Sequence, residues 1–400
     1  MKLFEKSELK LLWPFYLEYF LASLLYLAPA FLTIYFLNIG FSLFQIGLIA
    51  AASGLAILVF EIPTGAFADL YGRKMSVLLG YFIEGVCMLS LFFIKDFYWV
   101  VLIFGLWGFG ATFSSGSKDA WIVDMINKKN KKFIHGFFNK MQVFINLGSF
   151  FSGLLGVVIV KYFGISIIWP ISAACYLASA VLLALFAKEI YTTRRIKVRD
   201  SFINLKTQTK KSLNYSYQHH VLFYLFIALV IFVFASQLQA NISWVPLLKD
   251  LGMKDYQFGY LWSAMTLIVA ISPIVGIKFL KKGKERNFIV LTIILGAVIN
   301  LFILFAFNLL LAIPILLLSL FFFFSKNPAA EVYFHRFIPS KLRATVGSVR
   351  SMIGALASVI ALPIAGLLVD WIGPKYTIFI SSLLMIPAII LYLKIKEDKL

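Results

Sequence analysis

Charge is scarce in this 400-residue chain: only 14% of its residues are charged and 18 are acidic, while 61% are hydrophobic. A soluble domain carries nearer a quarter charged residues, so large water-exposed domains are excluded. Cysteine is almost absent. Cys87 and Cys175 lie in separate apolar stretches without partner spacing, which leaves neither a disulfide framework nor a zinc site. No phosphate loop, metal cluster or nucleophile–base arrangement occurs, and the glycine-rich patches sit inside apolar runs where they serve packing. An enzyme, a cofactor and a metal are therefore not expected. The ten-residue polar/apolar alternation of a transmembrane β-barrel is missing as well.

What the chain does have is long apolar runs. A helical span needs about 20 apolar residues, and runs bounded by breakers fall at 11–37, 43–69, 75–94, 98–125, 135–162, 165–187, 219–248, 256–280, 288–307, 309–338, 343–370 and 375–394. These predict an all-α membrane protein with twelve transmembrane helices in two six-helix bundles: an N-terminal bundle over 1–187, a basic linker over 188–218 and a C-terminal bundle over 219–400. The first run is too long for a signal-peptide core and is expected to be an uncleaved anchor.

The formal net charge of +19 raises the question of nucleic acid, and its placement answers it. With the N-terminus inside, twenty-six Lys and Arg fall in cytoplasmic stretches, among them Arg194, Arg195, Lys197 and Arg199 of the linker, and only Lys95, Lys161, Lys249, Lys254 and Lys375 fall outside. Lys and Arg are retained on the cytoplasmic side. Both termini are thus expected in the cytoplasm, with lipid as the surrounding partner and no nucleic acid.

The chain also repeats itself. Phe44-Gln45-Ile46-Gly47 matches Tyr256-Gln257-Phe258-Gly259, Gly72-Arg73 matches Gly283-Lys284, and Gly136, Lys140, Gly156 and Gly164 match Gly347, Arg350, Gly366 and Gly373, at offsets of 209 to 212. Six spans per copy give both copies one orientation, so the repeat is parallel, about an axis along the membrane normal.

Between the second and third spans the chain reads Gly65-Ala66-Phe67-Ala68-Asp69-Leu70-Tyr71-Gly72-Arg73-Lys74. Gly65 and Asp69 share a helix face one turn apart, and a glycine there allows close helix approach. This run closely resembles the loop signature of the major facilitator superfamily (MFS). Phe60-Glu61-Ile62-Pro63-Thr64 and the stretch from Ser115 to Asp124 resemble a bacterial multidrug or solute exporter-like branch of it. The resemblance implies a secondary transporter working by alternating access. It further implies that Asp69 latches onto the start of the eleventh span near Arg343 and that Arg73 pairs with Asp124, so Gly65, Asp69, Gly72, Arg73, Lys74, Asp124 and Arg343 would form a cytoplasmic gate. The chain departs from the pattern in places. Leu280 stands where the second copy of the latch would have its acid, Phe104 stands where antiporters often carry an arginine, and the fifth span has Gly148, Gly153 and Gly156 without a proline.

Ionisable residues inside a bilayer usually line a cavity or pair. Glu18, set among Phe15, Tyr16, Tyr19 and Phe20, is expected to serve as a proton or cationic-substrate site or to bond a neighbouring helix, and Glu84 is a second such acid. Glu61, Lys118, Asp119, Lys140, Glu331 and Arg350 fall nearer the cytoplasmic third of their spans and are expected to form a buried, symmetric ion-pair network, with Lys140 equivalent to Arg350 and Asp119 to Glu331. Gln237 and Asn241, four residues apart in the seventh span, are placed to hydrogen-bond a solute or another helix. The expected function is proton-coupled export of an amphiphilic or cationic compound by a monomer in the bacterial inner membrane. Uptake of a polar nutrient is the alternative, and a non-transporting receptor or scaffold is the alternative of another class.

Overall fold

The computed structural model describes residues 4–129, 131–189, 219–339 and 342–395. Of the linker expected over 188–218, residues 190–218, with Arg194, Arg195, Lys197 and Arg199, lie outside the described residues. Among those described, every regular element is helical, and twelve helices are long and apolar enough to cross a membrane. They are, in order, span 1 (Lys6–Asn38), span 2 (Leu43–Tyr71), span 3 (Arg73–Phe93), span 4 (Phe97–Lys129), span 5 (Gly136–Phe163) and span 6 (Ile165–Phe186). Span 7 (His220–Asp250), span 8 (Asp255–Phe279), span 9 (Glu285–Phe305), span 10 (Leu309–Arg336), span 11 (Thr345–Ile372) and span 12 (Pro374–Lys394) follow. Only helices and closed barrels satisfy every backbone group without water, which is why apolar runs of this length become helices.

The repeat recurs in the backbone. Gly72 and Gly283 carry φ of +104° and +81°, and Gly164 and Gly373 carry +86° and +83°. Each pair closes the same turn in the two copies, a conformation that glycine adopts without steric cost.

Spans 1, 4, 7 and 10 are interrupted. Span 1 breaks between Leu25 and Ala28, span 4 between Ser114 and Ser117, span 7 between Leu238 and Asn241, and span 10 at Lys326. These are equivalent positions in the repeat, because spans 1 and 7, and 4 and 10, lie six spans apart. Pro29 and Pro328 follow two of the breaks and cannot donate a helical N–H. Neighbouring side chains take up the freed backbone groups at the first break: the Leu27 N–H donates to Ser172 Oγ at 3.2 Å and Ser152 Oγ donates to the Tyr26 carbonyl at 3.2 Å. Hydropathy windows average over such interruptions.

Contacts divide the chain into two compact units. The first comprises Met1–Tyr35, Ala52–Phe202 and Asp255–Ser263, and the second comprises Phe36–Ala51, Ile203–Lys254 and Ala264–Leu400. Each unit therefore includes the opening turns of one span from the other half of the sequence. The core of the first is built on Leu12, Phe15, Trp121, Phe137 and Leu183, and that of the second on Leu222, Ile293, Tyr333, Val346 and Met385. Glycines set the closest approaches: a Cβ at Gly148 of span 5 would lie 2.7 Å from the Phe20 carbonyl of span 1, and one at Gly47 of span 2 would lie 2.5 Å from the Leu362 carbonyl of span 11.

Candidate functional site

The first unit holds a cavity of about 480 Å³ whose lining includes Glu18, Tyr26, Tyr81, Lys118, Tyr176 and Trp262. It lies where spans 1 and 4 are broken. Glu18 is fully buried, and Lys118 Nζ donates to both of its carboxylate oxygens, at 3.1 and 3.2 Å. The Tyr81 hydroxyl also donates to Glu18 at 2.6 Å and accepts from Lys118 at 2.8 Å. The ammonium lies 3.8 Å from the centroid of the Tyr19 ring. Glu18 is thus a paired acid, its charge already balanced within hydrogen-bond distance. Glu84, 3% exposed in span 3, differs. Ser114 Oγ donates to it at 3.0 Å, and among the described residues no cation lies within ion-pair distance of it.

The buried symmetric network requires correction. Lys140 bonds both oxygens of Glu8 at 2.7 Å, and the Tyr16 hydroxyl donates to the same acid at 2.6 Å. Span 1 begins at Lys6 rather than near 11, which carries Glu8 into the helix and against Lys140 before any repeat-related acid is met. Asp119 is exposed and accepts from the Tyr19 hydroxyl at 3.1 Å, and Glu61 is exposed. Arg350 does pair with Glu331, at 2.9 Å, but the Glu331 side chain is itself 55% exposed.

At the end of span 2 the loop residues bind their own unit. Arg73 donates to Asp124 and to the Ala120 carbonyl, both at 2.5 Å. Lys74 Nζ donates to the Ala184 and Ala187 carbonyls at 2.7 and 2.8 Å, a cation on the negative end of span 6. Glu189, which sequence reasoning passed over, accepts the Lys74 N–H at 3.0 Å at the start of span 3. A Cβ at Gly65 would meet nothing within 4 Å, so no close approach at that residue explains its glycine. Asp69 lies in the first unit and Arg343 in the second. The second unit carries a counterpart of the Arg73 pair with the signs exchanged: Arg336 at the end of span 10 lies 2.5 Å from Glu285 at the start of span 9.

The second unit has its own cavity, about 440 Å³, lined by residues that include Phe232, Gln237, Asn241, Trp244, Lys326 and Ser358. It lies at the breaks of spans 7 and 10. Gln237 donates to Ser358 Oγ at 3.1 Å. Gln237 and Asn241 share this cavity, though not by four-residue spacing on one helix, because the helix stops between them. Trp121 and Tyr333, also aromatic, are core residues in their units.

Asp370, in the last turn of span 11, was likewise missed. Its Oδ1 accepts the Leu43 N–H at 3.0 Å and its Oδ2 the Phe44 N–H at 2.8 Å, at the start of span 2. A carboxylate at the C-terminal end of its own helix is disfavoured by the macrodipole, and that is the signal that points to a second helix's N-terminus. Asp370→Ala is expected to loosen this contact, since bonds to a charged group contribute about 1.5–3 kcal/mol. A cysteine placed at Phe44, in a chain whose two native cysteines are buried, should then react faster with a water-soluble thiol reagent. An unchanged rate would show that the clasp does not hold spans 2 and 11 together.

A profile of the Major Facilitator Superfamily matches residues 15–362. The chain belongs to the Major Facilitator Superfamily. It is similar to the uncharacterized MFS-type transporter YxaM of Bacillus subtilis (strain 168), 25% identical over 381 residues that cover 91% of each chain. The crystal structure of the nucleoside transporter NupG superposes with a TM-score of 0.77 at 13% identity, covering 99% of this chain and 100% of that one. A D-xylose-proton symporter superposes with a TM-score of 0.69 at 14% identity, covering 96% and 97%. At such identities the likeness carries the MFS fold, which is the all-α, twelve-span fold expected from the sequence. The chain is an integral, multi-pass MFS transporter, from a family whose members are typically not enzymes.

Proposed function

We propose that this chain is a proton-coupled secondary transporter that moves a small amphiphilic organic solute by alternating access. In this reading the functional halves are 1–187 and 219–400, both termini and the linker over 188–218 face the cytoplasm, and the protein works as a monomer in the bacterial inner membrane. The observation that carries it is a pair of buried acids in the first unit, Glu18, which lines its cavity, and Glu84 of span 3, which accepts from Ser114 of the same lining. A buried acid inside a membrane protein is retained when it binds or relays ions. The bond from Lys118 to Glu18 argues against direct capture of a cationic solute there, because that carboxylate already has its cation, and leaves Glu84 as the proposed proton carrier. Arg73, Asp124 and Lys74, with Gly65, Asp69, Gly72 and Arg343, are proposed as the gate that opens and closes during the cycle.

Export is the proposed direction, on the resemblance of the Phe60–Thr64 and Ser115–Asp124 stretches to exporter-like members. Uptake of a polar nutrient is the second reading, favoured by the amides Gln237 and Asn241 at the second cavity. Proteoliposomes loaded with a pH-sensitive dye and given a panel of organic acids, amines, sugars and nucleosides test both. A solute-triggered proton flux is expected, and its sign relative to solute movement separates antiport from symport. Solute movement with no proton movement would overturn the coupling. No movement of any solute by folded protein would favour a receptor or scaffold.

A further inference from the structure

We propose that the cavity of the second unit binds the anionic head of an amphiphilic organic carboxylate, with Lys326 as its cation. The inference rests on the transporter reading above and adds the substrate class.

Lys326 sits at the break of span 10, inside the run Phe322-Phe323-Phe324-Ser325-Lys326-Asn327-Pro328, and lines the cavity. Its ammonium lies 3.9 Å from the centroid of the Phe232 ring. A ring face attracts a cation without neutralising it. Among the described residues no carboxylate lies within ion-pair distance of Lys326. The acid further along the same segment, Glu331, is taken by Arg350 at 2.9 Å and approached by His335 at 3.7 Å. Arg350 adds a second cation to this region, so positive charge exceeds negative there. The first unit supplies the contrast, because the lysine at its cavity, Lys118, has its carboxylate built in.

A charged side chain inside a membrane protein is costly unless it pairs or faces a polar cavity, and Lys326 has the cavity without the acid. The missing partner is supplied most simply by the solute. Two half-helices also begin at this cavity, Asn241–Asp250 and Asn327–Arg336, and the first N–H groups and positive dipole end of a helix favour an anion. Asn241, Asn327 and Gln237 add directional amide donors beside the ammonium. One compact lysine charge with neutral amides suits a singly charged carboxylate rather than a phosphate, which favours bidentate arginine. Trp244, Met265, Leu316, Phe323 and Phe324 line the remainder and suit an apolar or aromatic body. A volume of about 440 Å³ lies within the usual range of small-molecule sites.

The test uses three probes of nearly equal shape: 4-phenylbutyrate, 4-phenylbutyramide and 4-phenylbutylamine. Their binding to the detergent-purified full-length protein is measured calorimetrically, and their movement is followed by counterflow in proteoliposomes. The carboxylate is expected to bind the wild type at least about tenfold more tightly than the amide or the amine, the effect of one charge-assisted contact. Lys326→Met should remove that preference, and Lys326→Arg should keep most of it. A wild type that prefers the amine or amide, or binds none of the three, overturns the inference, and this comparison needs no variant to fold. A folded Lys326→Met protein that keeps the carboxylate preference overturns it too. Counterflow of the amine with none of the carboxylate would overturn the anion site while leaving the transporter reading standing, and a protein that binds the carboxylate but moves no solute would do the reverse.

Discussion

Lys118→Met is expected to be among the most destabilising single substitutions in the first unit. It leaves Glu18 fully buried with the Tyr81 hydroxyl still donating to it, and stripping one partner from a buried ion pair costs about 3–5 kcal/mol. The loss should appear as a melting midpoint lower by roughly 5–10 °C in detergent. The companion expectation carries the argument. Glu18→Gln with Lys118→Met removes both charges and should recover most of the stability, because a neutral pair of similar volume is often no worse than the ion pair it replaces. A single variant that melts like the wild type, or a double variant as unstable as the single, would show that Lys118 does not compensate Glu18.

Glu84→Gln should have the largest effect on coupling. Gln keeps the shape of the protonated acid and can still accept from Ser114 Oγ, which lies 3.0 Å from the native carboxylate. Folding should therefore be nearly unchanged, while the proton that Glu84 carries in the proposed cycle has no place to bind. Proton flux per solute moved is expected to fall by about tenfold or more, the scale on which removing a required ionisable group acts. Downhill counterflow of the same solute should persist, because exchange does not require the net movement of a proton. Loss of counterflow together with flux would instead make Glu84 a structural or solute-binding residue.

The spans were legible because lipid makes the requirement strict: about 20 apolar residues must be contiguous, and the runs from Leu43 and from Ile165 meet it on composition alone. The interruptions within spans 1, 4, 7 and 10 were not legible. The first lies inside an apolar stretch and is supported by remote side chains, Ser172 at Leu27 and Ser152 at Tyr26, while the other three fall at short polar runs, Ser114-Ser115-Gly116-Ser117, Gln237-Leu238-Gln239 and Ser325-Lys326-Asn327, too brief to lower the hydropathy of a whole span. Gln237 and Asn241 were read as one helix face at four-residue spacing, and the break between them puts them instead on two helices that share a cavity. Arg73 and Asp124 were paired by the resemblance to the superfamily, and the two side chains do meet. Glu8 could not be paired from the sequence, because it reads as a tail residue until the helix is seen to start at Lys6 and to bring it onto Lys140. Repeat symmetry misled where it was applied to residue type: Arg73 matches Lys284, yet the pair that joins the start of span 9 to the end of span 10 is Glu285–Arg336, one residue further on and with the signs exchanged. Lys326 went unread because a lone lysine after a phenylalanine run resembles an interfacial residue, and it is distinguished by the cavity it lines and by having no acid within ion-pair distance among the described residues.

The two cavities divide the chemistry between the units. In the proposed reading the first, lined by Glu18 and Lys118 and reached by Glu84 through Ser114, supplies acids for a proton, and the second, with Lys326 and its amides, supplies recognition of a solute. Proton coupling is the claim on which this account rests. It is tested most directly by the calibrated ratio of proton to solute flux in dye-loaded proteoliposomes, read for wild type and for Glu84→Gln with one transported solute. The account predicts a fixed ratio in the wild type, largely lost in Glu84→Gln while counterflow continues. A wild type that moves solute with no accompanying protons, or a Glu84→Gln protein with the wild-type ratio, would contradict it.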